Sequence, residues 1–271
     1  MKVVIFCGGL GLRLREATPR LPKPMIPVGN QPILIHLMKY YAHYGHTDFI
    51  LCLGHKADVF KEYFLNYNEA MSNDFVLADG GRTVELLHED IANWRITFVD
   101  TGLRASIGQR LKLVERHLDQ DEVFLANYGD GLSDLPLPSM IDQLVESDKT
   151  ASFLCVRPNY STHVVSFDEG LSVRGIQTMA QAGIWINGGF FVFRKEIFDS
   201  LGAGEDLIEE PFRRLIDRDA LLAHRYGGFW APMDTLKDKH NLESLFESGR
   251  PPWAVWENGT VGDGKPRLAP G

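Results

Sequence analysis

Cysteine is scarce in this chain, and what there is lies scattered. Cys7, Cys52 and Cys155 are the three present, and no CxxC pair occurs. This argues against a disulfide framework and a cysteine-ligated zinc site, and makes a reducing, cytoplasmic setting the simplest expectation. Long apolar runs are missing too. The opening MKVVIFCGG stops at glycines after a short run, with no small-residue cleavage site, so it reads as neither a signal peptide nor a membrane span. Positive charge is in deficit: 28 Lys and Arg against 36 Asp and Glu leave a net charge of −8. A nucleic-acid partner, which needs a basic face, is not expected. A small anionic substrate, which needs only a few placed cations, is compatible. The nine histidines show no metal-ligand spacing, and no internal repeat is present. The phosphate-loop pattern GxxxxGK[ST] is absent. The dinucleotide pattern GxGxxG is incomplete, because Gly9 and Gly11 fit its first positions but Leu14 replaces the third glycine. With no clear ribose-binding acid about twenty residues further on, an NAD-dependent dehydrogenase is set aside.

What is present has the rhythm of an α/β protein. Residues 2–7 read as a short buried strand, followed at once by a glycine-rich loop and then by five prolines between Pro19 and Pro32. Apolar residues recur at helical spacing from Ile33, and Gly45 marks that helix's end. A strand over 48–53 and a helix over 58–67 follow. Later segments repeat the alternation: helix 111–118, strand 122–127, helix 141–147, strand 150–156. Such alternation predicts a Rossmann-like, mainly parallel sheet flanked by helices. Between 156 and 193 glycines and short β-like runs dominate, which predicts a β-rich insert. Amphipathic helices are expected over 208–216 and 235–247. The expected organisation is one domain over 1–257, with a flexible, Gly- and Pro-rich tail over 258–271.

Four constellations carry chemistry. Gly8-Gly9-Leu10-Gly11-Leu12-Arg13-Leu14 directly follows a strand. Such a loop suits either a tight turn or a backbone cradle for phosphates, with Arg13 as a forked cation. Lys23 is flanked by Pro22 and Pro24, so it is presented from a stiff segment suited to a phosphate contact. Tyr128-Gly129-Asp130-Gly131 ends a strand, where open α/β sheets bind ligands; Asp130 can reach a divalent metal there, and Asp134 is a weaker candidate. Asp234 precedes a helix, as either its cap or a second metal ligand. Asp130 and Asp234 together suit one Mg²⁺, which takes few carboxylates plus phosphate oxygens and water. Arg110, near a helix start, could face nucleotide phosphates. Asn187, before Gly188 and Gly189, suits either a substrate hydroxyl or a turn.

The motifs GGLGLRL, PKPM, SIGQRLKLVERHL, YGDGLSDL, INGGFFVF and FWAPMDTLKDK, in that order, resemble those of the sugar-1-phosphate nucleotidyltransferases, and most of all their branch that uses CTP and glucose 1-phosphate. The resemblance runs from Met1 to about Trp256. It implies a nucleotidyltransferase fold with a small β-rich acceptor-side region, a Mg²⁺ cofactor and a homo-oligomer. It also implies attack by a sugar phosphate oxygen on the α-phosphorus of the triphosphate, with pyrophosphate leaving. In that scheme Gly8, Gly9, Gly11, Arg110 and Gly129 belong to the nucleotide site. Arg13, Lys23 and Asp130 carry catalysis, with Asp130 and Asp234 on the metal. Asn187, Gly188 and Glu209 would meet the acceptor.

The sequence departs from the family's pattern on the acceptor side. The family's Thr or Ser before the loop arginine is Leu12. Its EKP segment, whose lysine binds the sugar phosphate, corresponds to 172–183, which holds no lysine. Its Arg-Phe/Tyr-Gly run is replaced by Thr162-His163-Val164-Val165, leaving Arg157 and Arg174 as candidates for the missing charge. The readings open at this point are CTP-dependent transfer to glucose 1-phosphate, transfer to another phosphorylated acceptor such as a cyclitol phosphate, phosphonate or phosphoramidate, and an inactive nucleotide-binding regulatory subunit.

Overall fold

A computed structural model describes residues 1–9, 14, 20–118, 120–158, 163–179 and 181–259. Gly11 and Arg13 of the opening loop, Thr162 and the 260–271 tail lie outside the described residues. Among the described residues the main sheet has seven strands: β1 (Lys2–Phe6), β2 (Asp48–Leu53), β3 (Arg95–Asp100), β4 (Val123–Tyr128), β5 (Ala151–Val156), β6 (Ile186–Arg194) and β7 (Leu221–Tyr226). From edge to edge they run β7-β5-β6-β4-β1-β2-β3. β1 pairs in parallel with β2 and β4, β2 with β3, and β5 with β7. β6 runs antiparallel between β4 and β5. The central strands read as near-continuous apolar runs because helices cover both faces of the sheet. In β1, Val3, Val4 and Ile5 are each fully buried.

Besides a single turn at Glu69–Ser72, the α-helices among the described residues are α1 (Ile33–His43), α2 (Ala57–Leu65), α3 (Ile107–Val114), α4 (Leu137–Val145), α5 (Glu210–Asp217) and α6 (Leu236–Glu247). One core lies between the sheet and α1 and α4, built on residues such as Leu34, Met38 and Met140. The other, on the opposite face, joins Val4, Phe6, Phe124 and Phe191 to Leu111 of α3 and Phe212 of α5. No described helix is long and apolar enough to cross a membrane.

The expected strand over 48–53 and the helix ending before Gly45 are both present. Gly45 adopts φ +82° and donates to the Ala42 carbonyl, as a left-handed helix terminus requires. α3 starts four residues before the expected 111, because Ser106 and Gln109 form a reciprocal capping box. The stretch 156–193 divides in two. His163–Phe167 and Val173–Thr178 form an exposed hairpin, but INGGFFVF is β6, a central strand of the main sheet. Its glycines suggested a peripheral insert; in fact they permit an irregular strand start. β3 and β7 escaped notice because they are edge strands with exposed polar residues, which break the apolar run.

The late PPWAVW segment is structural. Trp253 is fully buried, and its Nε1–H donates to His36 Nδ1 at 3.3 Å. His36 Nε2 then donates to the Val28 carbonyl at 3.0 Å, which fixes a neutral tautomer. Burial, set first against a favourable backbone bond, lowers the His36 pKa to about 4. The unfolded chain therefore takes up a proton between about pH 6.5 and 4 that the folded chain refuses. Stability should fall as pH drops through that window, by about 3 kcal/mol for this group. Urea unfolding at pH 7 and pH 4.5 tests this, because His36→Gln should flatten the pH slope relative to wild type. An identical slope in the two proteins would place the effect elsewhere, for instance at His46, which burial also lowers to about 4.

Candidate active site

The carboxyl ends of β1 and β4 open into a cavity of about 520 Å³, within the usual range for small-molecule sites. Gly8, Gly9, Tyr128, Asp130, Gly131, Asn187, Gly188, Asp206, Trp230 and Asp234 are among the residues that line it. This is the position at which open α/β sheets collect ligands.

Lys23 sits in a short 3-10 turn, Lys23–Met25, closed by Met25 N–H to the Pro22 carbonyl. Its ammonium lies 2.5 Å from Asp130 Oδ2 and hydrogen-bonds Asp234 Oδ1. The side chain of Lys23 is 14% exposed, against 25% for Asp130 and 31% for Asp234. Burial pulls the lysine pKa down, but Asp130 and then Asp234 outweigh that and hold it above its ordinary value. The ammonium is therefore a fixed charge at neutral pH.

The two acids are brought together by backbone pairing. Gly131–Ser133 and Trp230–Pro232 form a two-stranded ribbon, and Met233 N–H donates to the Asp130 carbonyl at 2.9 Å. Capping of α6, the alternative role for Asp234, falls to Thr235, which shares a capping box with Asp238. That leaves the Asp234 carboxylate facing Lys23. Asp134 has a structural role: its carboxylate accepts from Tyr226 Oη at 2.6 Å and from Phe229 N–H at 2.8 Å.

Arg110 borders the cavity, but its guanidinium is turned inward. It is 2% exposed, and it donates to the Leu53 carbonyl at 3.1 Å, Thr101 Oγ1 at 2.6 Å and the Gly8 carbonyl at 3.0 Å. Burial draws its pKa below the ordinary value. The residue read as a phosphate contact thus anchors the glycine loop. Gly8 allows this approach, since a Cβ there would lie 1.9 Å from Arg110 Nη1. Gly129 is likewise a packing glycine, its N–H on the Phe6 carbonyl and Pro24 against its Cα.

Asn187 takes the turn role and also lines the cavity. Its Oδ1 accepts from Gly189 N–H at 2.8 Å. Gly188 is packed under Leu154 and Trp230, and its carbonyl accepts from Trp230 Nε1 at 2.8 Å. Glu209 is not brought to the cavity. It is the N-cap of α5, whose buried face is Pro211, Phe212 and Leu215, and it is exposed. Asp206 lines the cavity instead. Tyr128 also enters the site unassigned by the sequence reading. Burial first, then the charge of Asp206, raise its pKa to about 12, so it is a neutral hydroxyl. Arg174 lies on the exposed hairpin and pairs with Asp168 at 2.5 Å.

A mixed sheet with a glycine loop on its first strand and a lysine bridging two carboxylates at the strand ends is built to handle a nucleotide polyphosphate. The chain belongs to the nucleotidyl transferase family, whose sequence pattern matches residues 2–238. It is 42% identical over 260 residues to the glucose-1-phosphate cytidylyltransferase of Salmonella typhi, covering 95% of this chain and 100% of that protein. It is 25% identical to the D-glycero-alpha-D-manno-heptose 1-phosphate guanylyltransferase of Campylobacter jejuni, over 86% of this chain and 96% of that one. In fold it is similar to HddC from Yersinia pseudotuberculosis, with a TM-score of 0.63 and 20% identity over 90% of this chain and 99% of that one.

The contact between Gly8 and Arg110 is directly testable. Gly8→Ala should force the guanidinium off the Gly8 carbonyl. The expected cost, about 1–3 kcal/mol for overpacking, corresponds to a melting temperature lower by about 3–10 °C. A thermal melt within about 1 °C of wild type would show that the loop absorbs the methyl group.

Proposed function

We propose that this protein transfers the cytidylyl group of CTP to a sugar 1-phosphate, with glucose 1-phosphate as the acceptor, and releases pyrophosphate. The observation that carries this reading is the Lys23 ammonium held between Asp130 and Asp234, two acids that line the cavity. The named relative of Salmonella typhi supports the choice of CTP and glucose 1-phosphate. In the reaction an oxygen of the sugar phosphate attacks the α-phosphorus of CTP, and the bond to the β-phosphate oxygen breaks. Little covalent chemistry is asked of the protein. It positions two anions in line and offsets their charge.

The residues divide that work. Gly8 and Gly9 bring backbone close to the triphosphate, supported from beneath by Arg110. Gly11 and Arg13 complete the loop in this reading, Arg13 on the departing pyrophosphate. Lys23 supplies a fixed positive charge beside the reacting phosphates. Asn187 and the neutral Tyr128 hydroxyl face the acceptor. Asp130 and Asp234 would hold Mg²⁺. Their oxygens converge on one ammonium, which stands in for the cation such a pair accepts. The metal, when bound, would neutralise charge on the triphosphate. The same reading places the enzyme in nucleotide-sugar synthesis, in the cytoplasm and as a homo-oligomer.

Pyrophosphate release tests the reading. With Mg²⁺ and glucose 1-phosphate, CTP should exceed UTP, GTP and dTTP as donor, and the product should be CDP-glucose. No release across these donors and a panel of sugar phosphates would overturn it. Lys23→Met should lower kcat about 10²–10³-fold, the effect of removing one electrostatic contact to the transition state. A change below threefold would remove Lys23 from the chemistry.

A further inference from the structure

The face of the sheet that carries the cavity extends past it, and two cations lie on the extension. Phe6, Tyr128 and Phe191 belong to the core on the α3 and α5 side, as does Phe153 of β5. Side chains alternate along a strand, so Cys155 continues the Phe153 side, and Arg157 follows directly after the strand's end. β6 is irregular here. Its pairing shifts from Phe153↔Phe191 to Cys155↔Asn187, with Gly188 and Gly189 between and Gly189 at φ +79°. The shift sets Asn187 opposite Cys155, and Cys155 in turn pairs with Arg225 of β7. Asn187, Cys155 and Arg225 thus form one row across three strands. Strand spacing places the Arg225 backbone about 10 Å from Asn187, which lines the cavity.

Trp185, two residues before Asn187, brings the two cations together. The Arg157 guanidinium lies 5.3 Å from its ring centre, and that of Arg225 lies 5.7 Å from it. Both distances fall within cation–π range. Among the described residues, neither arginine makes an ion pair with a carboxylate or a hydrogen bond. Both are exposed. Two like charges gathered on one indole, without a counter-charge, repel each other and favour an anion. A guanidinium stacked on a ring keeps its forked N–H donors in plane and available, a geometry that matches phosphate oxygens.

The charge layout of the site gives that anion a place. The nucleotide end already holds Lys23 with two carboxylates, and Asp206, which also lines the cavity, adds negative charge. Of the two arginines singled out from sequence, Arg174 is occupied by Asp168 on the hairpin. We infer that Arg157 and Arg225, stacked on Trp185, form the anion subsite that receives the phosphate of the acceptor. The inference rests on the proposed transferase reaction. It assigns the acceptor's charge to β5 and β7, and the nucleotide's to β1 and β4. Arg157 and Arg225 would touch substrate, and Trp185 would position them.

Steady-state kinetics with CTP and glucose 1-phosphate tests the subsite. Arg157→Gln and Arg225→Gln should each raise KM for glucose 1-phosphate at least tenfold and leave KM for CTP within twofold. Arg225→Lys should recover part of the loss. Equal rises in both KM values, with a lower melting temperature, would mark the arginines as structural and overturn the subsite. A second measurement is independent of turnover. Inorganic phosphate is titrated while following the indole emission that Trp185→Phe removes. Wild type should respond, and Arg225→Gln should need at least tenfold more phosphate. Equal responses would overturn the subsite whether or not pyrophosphate is released. A normal phosphate response from a wild type that releases no pyrophosphate would sink the transferase reading alone.

Discussion

One ammonium shared by two carboxylates ties together three parts of the chain that are far apart in sequence. Lys23 comes from a proline-flanked turn, Asp130 from the end of β4, and Asp234 from the approach to α6. Two carboxylates gathered on one ammonium repel each other, and the shared positive charge offsets that repulsion. The lysine therefore ties together two acids that line the cavity. The oxygens of the acid pair converge on that single positive centre.

A second cation is handled in the opposite way. Arg110 is as buried as the core around it, and its charge is met by two backbone carbonyls and a threonine hydroxyl. Three donors pointing at fixed oxygens make it a clamp on the strand ends of β1 and β2. A lysine could not span the same set, because its donors radiate from one point. The glycine loop is thus held from beneath by a positive group that also bears on its dipoles. Gly8 serves that contact, and the absence of a side chain there has a packing cause as well as a ligand-binding one.

Much of the fold was legible because burial leaves a mark on sequence. β1, β2, β4 and β5 are buried apolar runs, and their positions agree with expectation to within one or two residues. β3 and β7 were not legible, since an edge strand exposes polar residues and loses the run. The nucleotide side was legible through proline and glycine. Lys23 stands out by its flanking prolines and Asp130 by its flanking glycines, and the structure brings both together with Asp234. Arg110 was visible as a cation near a helix start. Its inward direction was not, because sequence does not say which oxygens lie beneath a helix. Asp206 and Trp185 carried no local signal. They matter only through neighbours donated by other strands.

The antiparallel strand β6 is what joins the two halves of the site. Parallel strands deliver their carboxyl ends to the cavity, whereas β6 delivers its amino end, so Ile186, Asn187 and Gly188 at its start line the cavity. INGG lies at that start. The glycines shift the pairing of β6 against β5 and move Asn187 into line with Cys155 and Arg225. On this backbone a side chain at 188 would meet Leu154 and Trp230, and one at 189 would meet Tyr128. The bulge therefore does two things at once. It makes room for residues that line the cavity, and it extends one face of the sheet to the arginines at the end of β5 and on β7. A site built in this way can alter its acceptor half by substitutions on β5, β6 and β7, leaving the lysine–carboxylate cluster at β4 untouched.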